Sequence, residues 1–189
     1  MSRIVAGAAG GRRVRTPNGQ TTRPTSERVR EALFSSLQAA LGRIDGLRFL
    51  DLYAGSGAVG LEAVSRGASL ATLVEQHAPT AALARRNAAD LGLSGVEVVT
   101  EKVERFAASA ARSVYDVAFL DPPYDVDDAV VRDVLRSLVE HGWLTAGAMV
   151  VVERSSRSRQ PTWPVAISGE RSRKYGETTL WYGRATGAG

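Results

Sequence analysis

Residues 49–60 of this sequence, FLDLYAGSGAVG, combine one carboxylate with closely spaced glycines. An apolar run ends at Asp51, and the pattern predicts a tight turn from a strand into a helix. The glycines of this turn are Gly55, Gly57 and Gly60. The first N–H groups of such a helix lack internal partners and, with the helix dipole, favour polar or anionic ligand groups. We therefore expect a cofactor to bind at this turn.

The glycine spacing also matches the G-x-G-x-x-G fingerprint of dinucleotide sites, so the cofactor must be chosen on other grounds. Glu75, at the end of the next predicted strand, suits a ribose hydroxyl in either case. A pyrophosphate is disfavoured by a nearby negative charge, whereas the amino-acid end of S-adenosylmethionine carries an ammonium that Asp51 can bind. Asp51 thus favours S-adenosylmethionine, and a nicotinamide-dependent oxidoreductase is the more distant alternative.

A second motif, Asp121-Pro122-Pro123-Tyr124, follows the apolar run 117–120. It is expected at the carboxyl end of a strand, on the same rim as the glycine turn. The Asp121 carboxylate and the Pro122 carbonyl can accept both N–H bonds of an exocyclic amine, whose lone pair is otherwise delocalised into the base. Consecutive prolines hold this backbone rigid, and Tyr124 can stack on a base swung out of its helix. The motif predicts methylation of an amino group.

The segments around these motifs alternate between short apolar runs and amphipathic stretches. Strands are predicted at 47–52, 70–75, 96–100, 114–120 and 148–153, and helices at 59–66, 79–91, 103–108 and 128–139. Residues 165–168 and 178–182 predict two further strands, joined by a polar loop at 170–177. The pattern indicates a doubly wound, Rossmann-like α/β fold with a mostly parallel seven-stranded sheet and an antiparallel C-terminal hairpin.

The N-terminus has a different pattern. Residues 3–6 and 12–15 flank the glycine-rich stretch 7–11 and predict a β-hairpin arm, laid on the body or on a partner. A helix capped by Thr25 or Ser26 should follow, with an apolar face at 29, 33, 37 and 41 that leaves Arg28 and Arg30 off it. The predicted domains are a basic arm at 1–24, a methyltransferase domain at 25–184 and a disordered tail at 185–189.

Charge is distributed unevenly along the chain. Residues 1–30 have a net charge of +6 and residues 154–184 of +5, while residues 31–153 have −7. Clustered arginines bind a phosphate backbone by releasing its counterions, so the basic ends predict a polyanionic partner. Ordinary solvated faces are the alternative interpretation.

Composition restricts the chemistry further. The chain has no cysteine, which excludes disulfides, thiolate zinc sites and a cysteine nucleophile, and its two histidines make a metal site unexpected. No apolar run approaches the roughly 20 residues of a membrane-spanning helix, and the N-terminus lacks the core of a signal peptide. We expect a cytoplasmic protein that binds neither metal nor membrane.

Four segments together resemble the RsmD family, whose members methylate N2 of a guanine in bacterial small-subunit ribosomal RNA. They are FLDLYAGSGAVGLEA, DPPY, RPTSERVREALFSSL at 23–37 and KYGETTLWY at 174–182, and the resemblance runs from about Arg3 to Tyr182. It implies S-adenosylmethionine as the cofactor and 16S ribosomal RNA as the partner. A single small domain with basic ends favours RNA within a small-subunit particle, with naked RNA as the alternative, and we expect a monomer. Adenine N6 methylation in DNA or RNA, and a non-catalytic RNA-binding ribosome-assembly factor, are the alternatives.

The resemblance also implies roles for individual residues. The implied cofactor-binding residues are Asp51, Tyr53, Ala54, Gly55, Gly57, Glu75, Gln76, Val103 and Asp121. The implied catalytic residues are Asp121, Pro122 and Tyr124, and the residues expected to bind RNA are Arg12, Arg13, Arg15, Arg23, Arg28, Lys174 and Tyr175. Which of Glu101, Lys102 and Val103 contacts the adenine is left open, because Lys102 stands where the family usually has an acidic or amide residue.

Overall fold

The computed structural model describes residues 2–17 and 26–186. These residues form two compact units, which divide between Glu101 and Lys102. The first unit contains β1 (Ser2–Arg3), β2 (Arg13–Val14), α1 (Glu27–Leu41), β3 (Arg48–Leu52), α2 (Ala58–Ser65), β4 (Leu70–Val74), α3 (Ala78–Leu91) and β5 (Val96–Val99). The second contains α4 (Val103–Ala107), β6 (Tyr115–Leu120), α5 (Asp128–Glu140), β7 (Leu144–Ser155), β8 (Ile167–Tyr175) and β9 (Thr178–Ala185). No helix within the described ranges is long and apolar enough to cross a membrane.

The sheet has seven strands and is mostly parallel. In the first unit the order is β5-β4-β3, with both pairs parallel and Asp51 opposite Leu73. In the second unit the order is β6-β7-β9-β8, where β6 and β7 are parallel and β9 is antiparallel to both of its neighbours. The predicted α/β fold with an antiparallel C-terminal hairpin is confirmed, and the predicted helices agree with the observed ones to within one residue at each end.

Helix α1 begins where a side chain can cap it. The Ser26 hydroxyl accepts the N–H of Val29 at 3.2 Å, and the helix ends before Gly42, which has a left-handed φ of 81°. Val29, Leu33 and Leu37 of its predicted apolar face are buried and Leu41 is half-buried. The ring of Phe34 stacks on Phe49 of β3 with 5.8 Å between centroids. This contact fixes the helix against the parallel strands of the first unit.

Arg30 is an exception to the predicted pattern of α1. It was expected off the apolar face, yet it is fully buried, with Nε 3.3 Å from Oε2 of Glu62 on α2. Burial lowers the pKa of Arg30, and Glu62 opposes that shift. The prediction was wrong because helical periodicity cannot show that a buried carboxylate lies opposite a particular arginine.

The predicted N-terminal hairpin is present, with Ser2 paired to Val14 and Arg3 to Arg13. It lies on α2, where the Glu62 carboxylate accepts the N–H groups of Val5 at 2.8 Å and Ala6 at 3.0 Å. Gly7 packs so closely on this helix that an added Cβ would lie 1.8 Å from a backbone oxygen of α2. The hairpin is therefore an integral part of the first unit.

The C-terminal hairpin is longer than expected. Residues 170–177, predicted to be a polar loop, mostly continue β8, because β8 is an edge strand whose exposed faces tolerate charged side chains. Strand β7 begins at Leu144 rather than 148, where Gly147 has a φ of 79° and the register with β6 shifts. Ala185, placed in the predicted tail, is the buried last residue of β9, and residues 187–189 lie outside the described ranges.

Candidate cofactor and acceptor sites

Asp51 lies near the carboxyl end of β3, at the start of the glycine turn in the first unit. The side chain is buried, with 1% exposure, and Oδ2 accepts the N–H of Gly60 at 2.9 Å. Burial raises the pKa of Asp51 to about 7; the bond from Gly60 lowers it in part, and the charge of Glu75 raises it. This carboxylate is thus held within the turn, near its ionisation point at neutral pH.

The backbone of the turn is strained at Tyr53, whose φ of 62° is the one positive value of a non-glycine residue among those described. Such a conformation costs about 1–3 kcal/mol and persists only where surrounding contacts impose it. Here the N–H of Ala54 bonds to the carbonyl of Val74 at 3.0 Å, and the N–H of Gly57 bonds to the carbonyl of Ala54 at 2.9 Å. Strained backbone of this kind is typical of ligand sites.

Two of the turn glycines, Gly55 and Gly57, differ in the space around them. A Cβ on Gly57 would lie 2.5 Å from Cδ2 of Leu73, so the turn packs tightly against β4 at that position. A Cβ on Gly55 would meet nothing within 4 Å, so the chain leaves open space beside that residue. The turn is therefore closed towards the sheet and open at Gly55, as a loop that receives a ligand requires.

Glu75, directly after β4, holds the same turn from a neighbouring strand. Its Oε2 accepts the N–H of Gly55 at 3.0 Å and its Oε1 accepts the N–H of His77 at 2.7 Å. The side chain is half-buried, and the adjacent Gln76 is exposed. The structure thus brings the predicted residues Asp51, Gly55 and Glu75 together in the first unit.

A third side chain that holds the turn, Asn87 of α3, was missed by the sequence analysis. It is buried, and Nδ2 donates to the carbonyl of Ser56 at 3.0 Å and to the carbonyl of Arg15 at 2.9 Å. Its Oδ1 accepts the N–H of Arg15 at 3.0 Å. No local signal marks it, because its partners are 31 and 72 residues away in the sequence.

The motif at 121–124 directly follows β6 in the second unit. Asp121 is half-buried and Pro122 is buried, while Pro123 and Tyr124 are exposed, the latter by 67%. The N–H of Val126 bonds to the carbonyl of Pro123 at 3.0 Å, which closes a turn after the motif. The arrangement presents an aromatic ring to solvent next to a backbone held by buried proline.

Arg154 of β7 fixes the far side of this turn and was also missed by the sequence analysis. Its side chain is 8% exposed, and Nη2 donates to the carbonyl of Val126 at 3.0 Å and to Oδ1 of Asp128 at 3.1 Å. Charge-assisted bonds of this kind are roughly twice as strong as neutral ones. The turn after the motif is therefore anchored to the sheet.

The arm residues expected to bind RNA differ in whether their side chains also bond to other parts of the protein. Arg12 donates to the carbonyls of Leu91, at 2.7 Å, and Asp90, and Arg15 is 3.2 Å from the Asp90 carboxylate. Arg13 is exposed on the same hairpin. Arg12 and Arg15 therefore also attach the arm to α3.

The remaining predicted residues are scattered. Arg28 and Lys174 are exposed and Tyr175 is half-buried at the turn into β9, while Arg23 lies outside the described residues. Lys102 is exposed and Val103 is buried at the start of α4. Across 2–17 and 26–186, no three His, Cys, Asp or Glu residues are grouped to hold a metal ion.

The order of strands and helices matches a known class of fold. An RNA methyltransferase from Salinibacter ruber, solved in complex with S-adenosyl-L-homocysteine, matches with a TM-score of 0.66 and 19% identity, over 86% of this chain and 94% of that one. At this identity the match shows the fold alone, which is the Rossmann-like methyltransferase fold.

The family follows from closer matches. The family model described as conserved hypothetical protein 95 matches residues 2–184. The Escherichia coli K12 ribosomal RNA small subunit methyltransferase D is 34% identical over 175 residues, which are 93% of this chain and 85% of that protein. The solved Escherichia coli protein yhhF matches with a TM-score of 0.86 and 30% identity over 99% of each chain. The chain belongs to this family, the RsmD family, as the four sequence segments predicted.

Proposed function

We propose that the chain is an S-adenosylmethionine-dependent methyltransferase that modifies N2 of a guanine in small-subunit ribosomal RNA. The observation that carries the proposal is the loop at 121–124, which combines a half-buried carboxylate, a rigid backbone carbonyl and an exposed aromatic ring. The family and the name of the Escherichia coli relative support ribosomal RNA as the substrate.

The glycine turn fits the cofactor in four respects. The space beside Gly55 admits a ligand, and Tyr53 holds a strained positive φ of the kind found at ligand sites. The Asp51 carboxylate provides a negative charge for an ammonium, and Glu75 retains acceptor capacity for ribose hydroxyls, since each of its oxygens accepts one bond from the chain. Bound S-adenosylmethionine supplies an electrophilic methyl group carried on a sulfonium. Gln76 and Val103 are proposed as further cofactor contacts.

Asp121 and Pro122 act on the acceptor. Each accepts one N–H of the guanine amine, through the Asp121 carboxylate and the Pro122 carbonyl, so the nitrogen lone pair is freed from conjugation and aimed for in-line attack. Tyr124 stacks on the extruded base. Asp121 also accepts the proton that the nitrogen releases once it is methylated. The chain has no cysteine, and this direct displacement requires no covalent enzyme intermediate.

The basic segments hold the RNA. Arg13 is exposed on an arm that is hydrogen-bonded to α2, and Lys174 is exposed near the end of β8. Contacts of this type bind phosphate without reading sequence, so they position the RNA while the acceptor loop selects the amine. We propose a small-subunit particle as the natural substrate, since a single small enzyme gains part of its specificity from RNA that is already folded.

The test separates cofactor binding from transfer. In the Asp121→Ala variant, S-adenosylhomocysteine should still bind, while methyl transfer to undermodified small subunits should fall by about 10²–10⁴-fold. The matched control is Asp125→Ala, which removes an exposed carboxylate just beyond the motif. Near-normal transfer by the Asp121 variant would contradict the proposed role.

A further inference from the structure

Asn87 lies between the N-terminal arm and the glycine turn and bonds to both. Its amide contacts Arg15, at the end of the hairpin, through two bonds of 3.0 and 2.9 Å, and Ser56, within the turn, through one bond of 3.0 Å. Both N–H bonds of the amide are used, because each partner carbonyl takes one. One buried side chain therefore connects the backbone of the arm to the backbone of the turn.

The burial of Asn87 makes this connection energetically significant. Its exposure is 1%, so loss of either backbone partner would leave a polar atom of the amide buried without that hydrogen bond. The amide is planar, so a shift of the Arg15 backbone also reorients the Nδ2–H group that donates to the Ser56 carbonyl. The conformation of the arm and the conformation of the turn are thus coupled through Asn87.

Two other described attachments of the arm, at Ser65 and Arg12, are made away from the glycine turn. Ser65, in the last turn of α2, accepts the N–H of Ala9 at 2.9 Å and donates to the carbonyl of Ala6 at 2.6 Å. Arg12 binds carbonyls at the C-terminal end of α3. Ser65 thus offers a matched control, since its removal loosens the arm without breaking a bond to the turn.

We propose that Asn87 is a positioning residue that couples RNA binding by the arm to cofactor binding at the glycine turn. This inference rests on the proposed function, because it takes the arm as the RNA contact and the turn as the cofactor contact. RNA bound to the arm fixes the backbone of Arg15, which holds the Asn87 amide and with it the Ser56 carbonyl. The turn is then preorganised, so the cofactor binds more tightly, and by linkage the cofactor strengthens RNA binding by the same factor.

The test compares two dissociation constants for S-adenosylhomocysteine, measured by calorimetry with and without undermodified small ribosomal subunits. In wild type the subunits should tighten binding by about fivefold or more. In Asn87→Ala the two constants should agree within about twofold, while Ser65→Ala should retain the wild-type ratio. An Asn87 variant that keeps the wild-type ratio, or a wild type with a ratio of one, would overturn the proposal.

Amide hydrogen exchange in the wild-type protein tests the same coupling without a variant. Saturation with S-adenosylhomocysteine should slow exchange of the Arg15 N–H, which bonds to Asn87. Slowed exchange in the turn with no change at Arg15 would contradict the coupling. The proposed function fails separately, through the absence of cofactor binding or methyl transfer in the wild type, whereas a coupling ratio of one leaves both intact.

Discussion

The Asp51 carboxylate accepts the backbone N–H of Gly60 at 2.9 Å, which ties the end of β3 to the first turn of α2. Because Asp51 is buried, its pKa is raised to about 7, so the folded protein retains the proton at a pH where an exposed carboxyl would have lost it. Ligand binding and stability should both depend on pH through this one group.

Cofactor binding should tighten as the pH rises towards 7. An ammonium beside Asp51 favours the ionised carboxylate, so below about pH 7 binding must release a proton, and the dissociation constant should fall by up to about tenfold per pH unit. Calorimetry with S-adenosylhomocysteine at several pH values measures this. Asp51→Asn should bind weakly with a flat profile, whereas a wild-type slope in that variant would contradict the assignment.

The stability of the cofactor-free protein, in contrast, should decrease as the pH rises. The unfolded chain ionises Asp51 near the model value of 3.8 and the folded chain only near 7, so the contribution of this residue to the free energy of unfolding decreases as the pH rises between those values. Urea unfolding of wild type and Asp51→Asn across this range should give a difference that grows with pH. A constant difference would exclude Asp51 as the cause.

Glu62→Gln should destabilise the first unit strongly. Glu62 bonds to Arg30, Arg66 and two backbone N–H groups of the arm, and removing one charge of a buried ion pair costs about 3–5 kcal/mol. Urea unfolding measures the loss. Glu140→Gln is the matched control, since its pair with Arg136 is exposed and should contribute less than about 1 kcal/mol. Similar losses of stability in both variants would contradict the role of the buried Glu62 carboxylate in holding the arm.

Tyr124→Ala should impair the reaction without affecting the fold. The ring is 67% exposed, so little packing is lost, but stacking on a base contributes about 1–3 kcal/mol, which corresponds to a fall in kcat/KM of roughly 5- to 150-fold. Tyr124→Phe keeps the ring and should be close to wild type. If the Phe variant lost as much activity as the Ala variant, the hydroxyl and not the ring would be the important group.

Arg13→Glu should weaken RNA binding and reduce its salt dependence. Each phosphate contact contributes a slope of about 0.7–0.9 in log K against log salt, so its loss should lower the slope by about that amount. Filter binding at several salt concentrations measures this, with Arg86→Glu, exposed on α3, as a charge-matched control. Unchanged affinity and slope would mean that the arm is purely structural.

The sequence predicted the elements well where local pattern determines them. Val29 and Leu33 recur at helical spacing and are buried, and the apolar run before Asp121 forms β6. Arg30 was misplaced and Asn87 was missed for one reason: the partners that keep them buried are Glu62, 32 residues away, and Arg15, 72 residues away. Tertiary contacts of that range leave no periodic signal.

The candidate site could be predicted only in part, because only some of its residues have a local signal in the sequence. Asp51, Gly55 and Glu75 stand out because strand ends and glycine turns have local signatures, and the structure brings them together. Arg154, which anchors the turn after Tyr124, lies in a buried stretch of β7 and looks like any arginine near a strand end. Residues that support a loop from another element are found only in the structure.

The identity of the methylated atom distinguishes guanine N2 methylation from its alternatives. Undermodified small subunits should be incubated with the wild-type protein and S-adenosylmethionine labelled in its methyl group, and the RNA digested to nucleosides for mass spectrometry. The proposed function predicts label in N2-methylguanosine from one position, and no label with Asp121→Ala. Label in N6-methyladenosine, or no transfer by a wild-type protein that binds the cofactor, would contradict it.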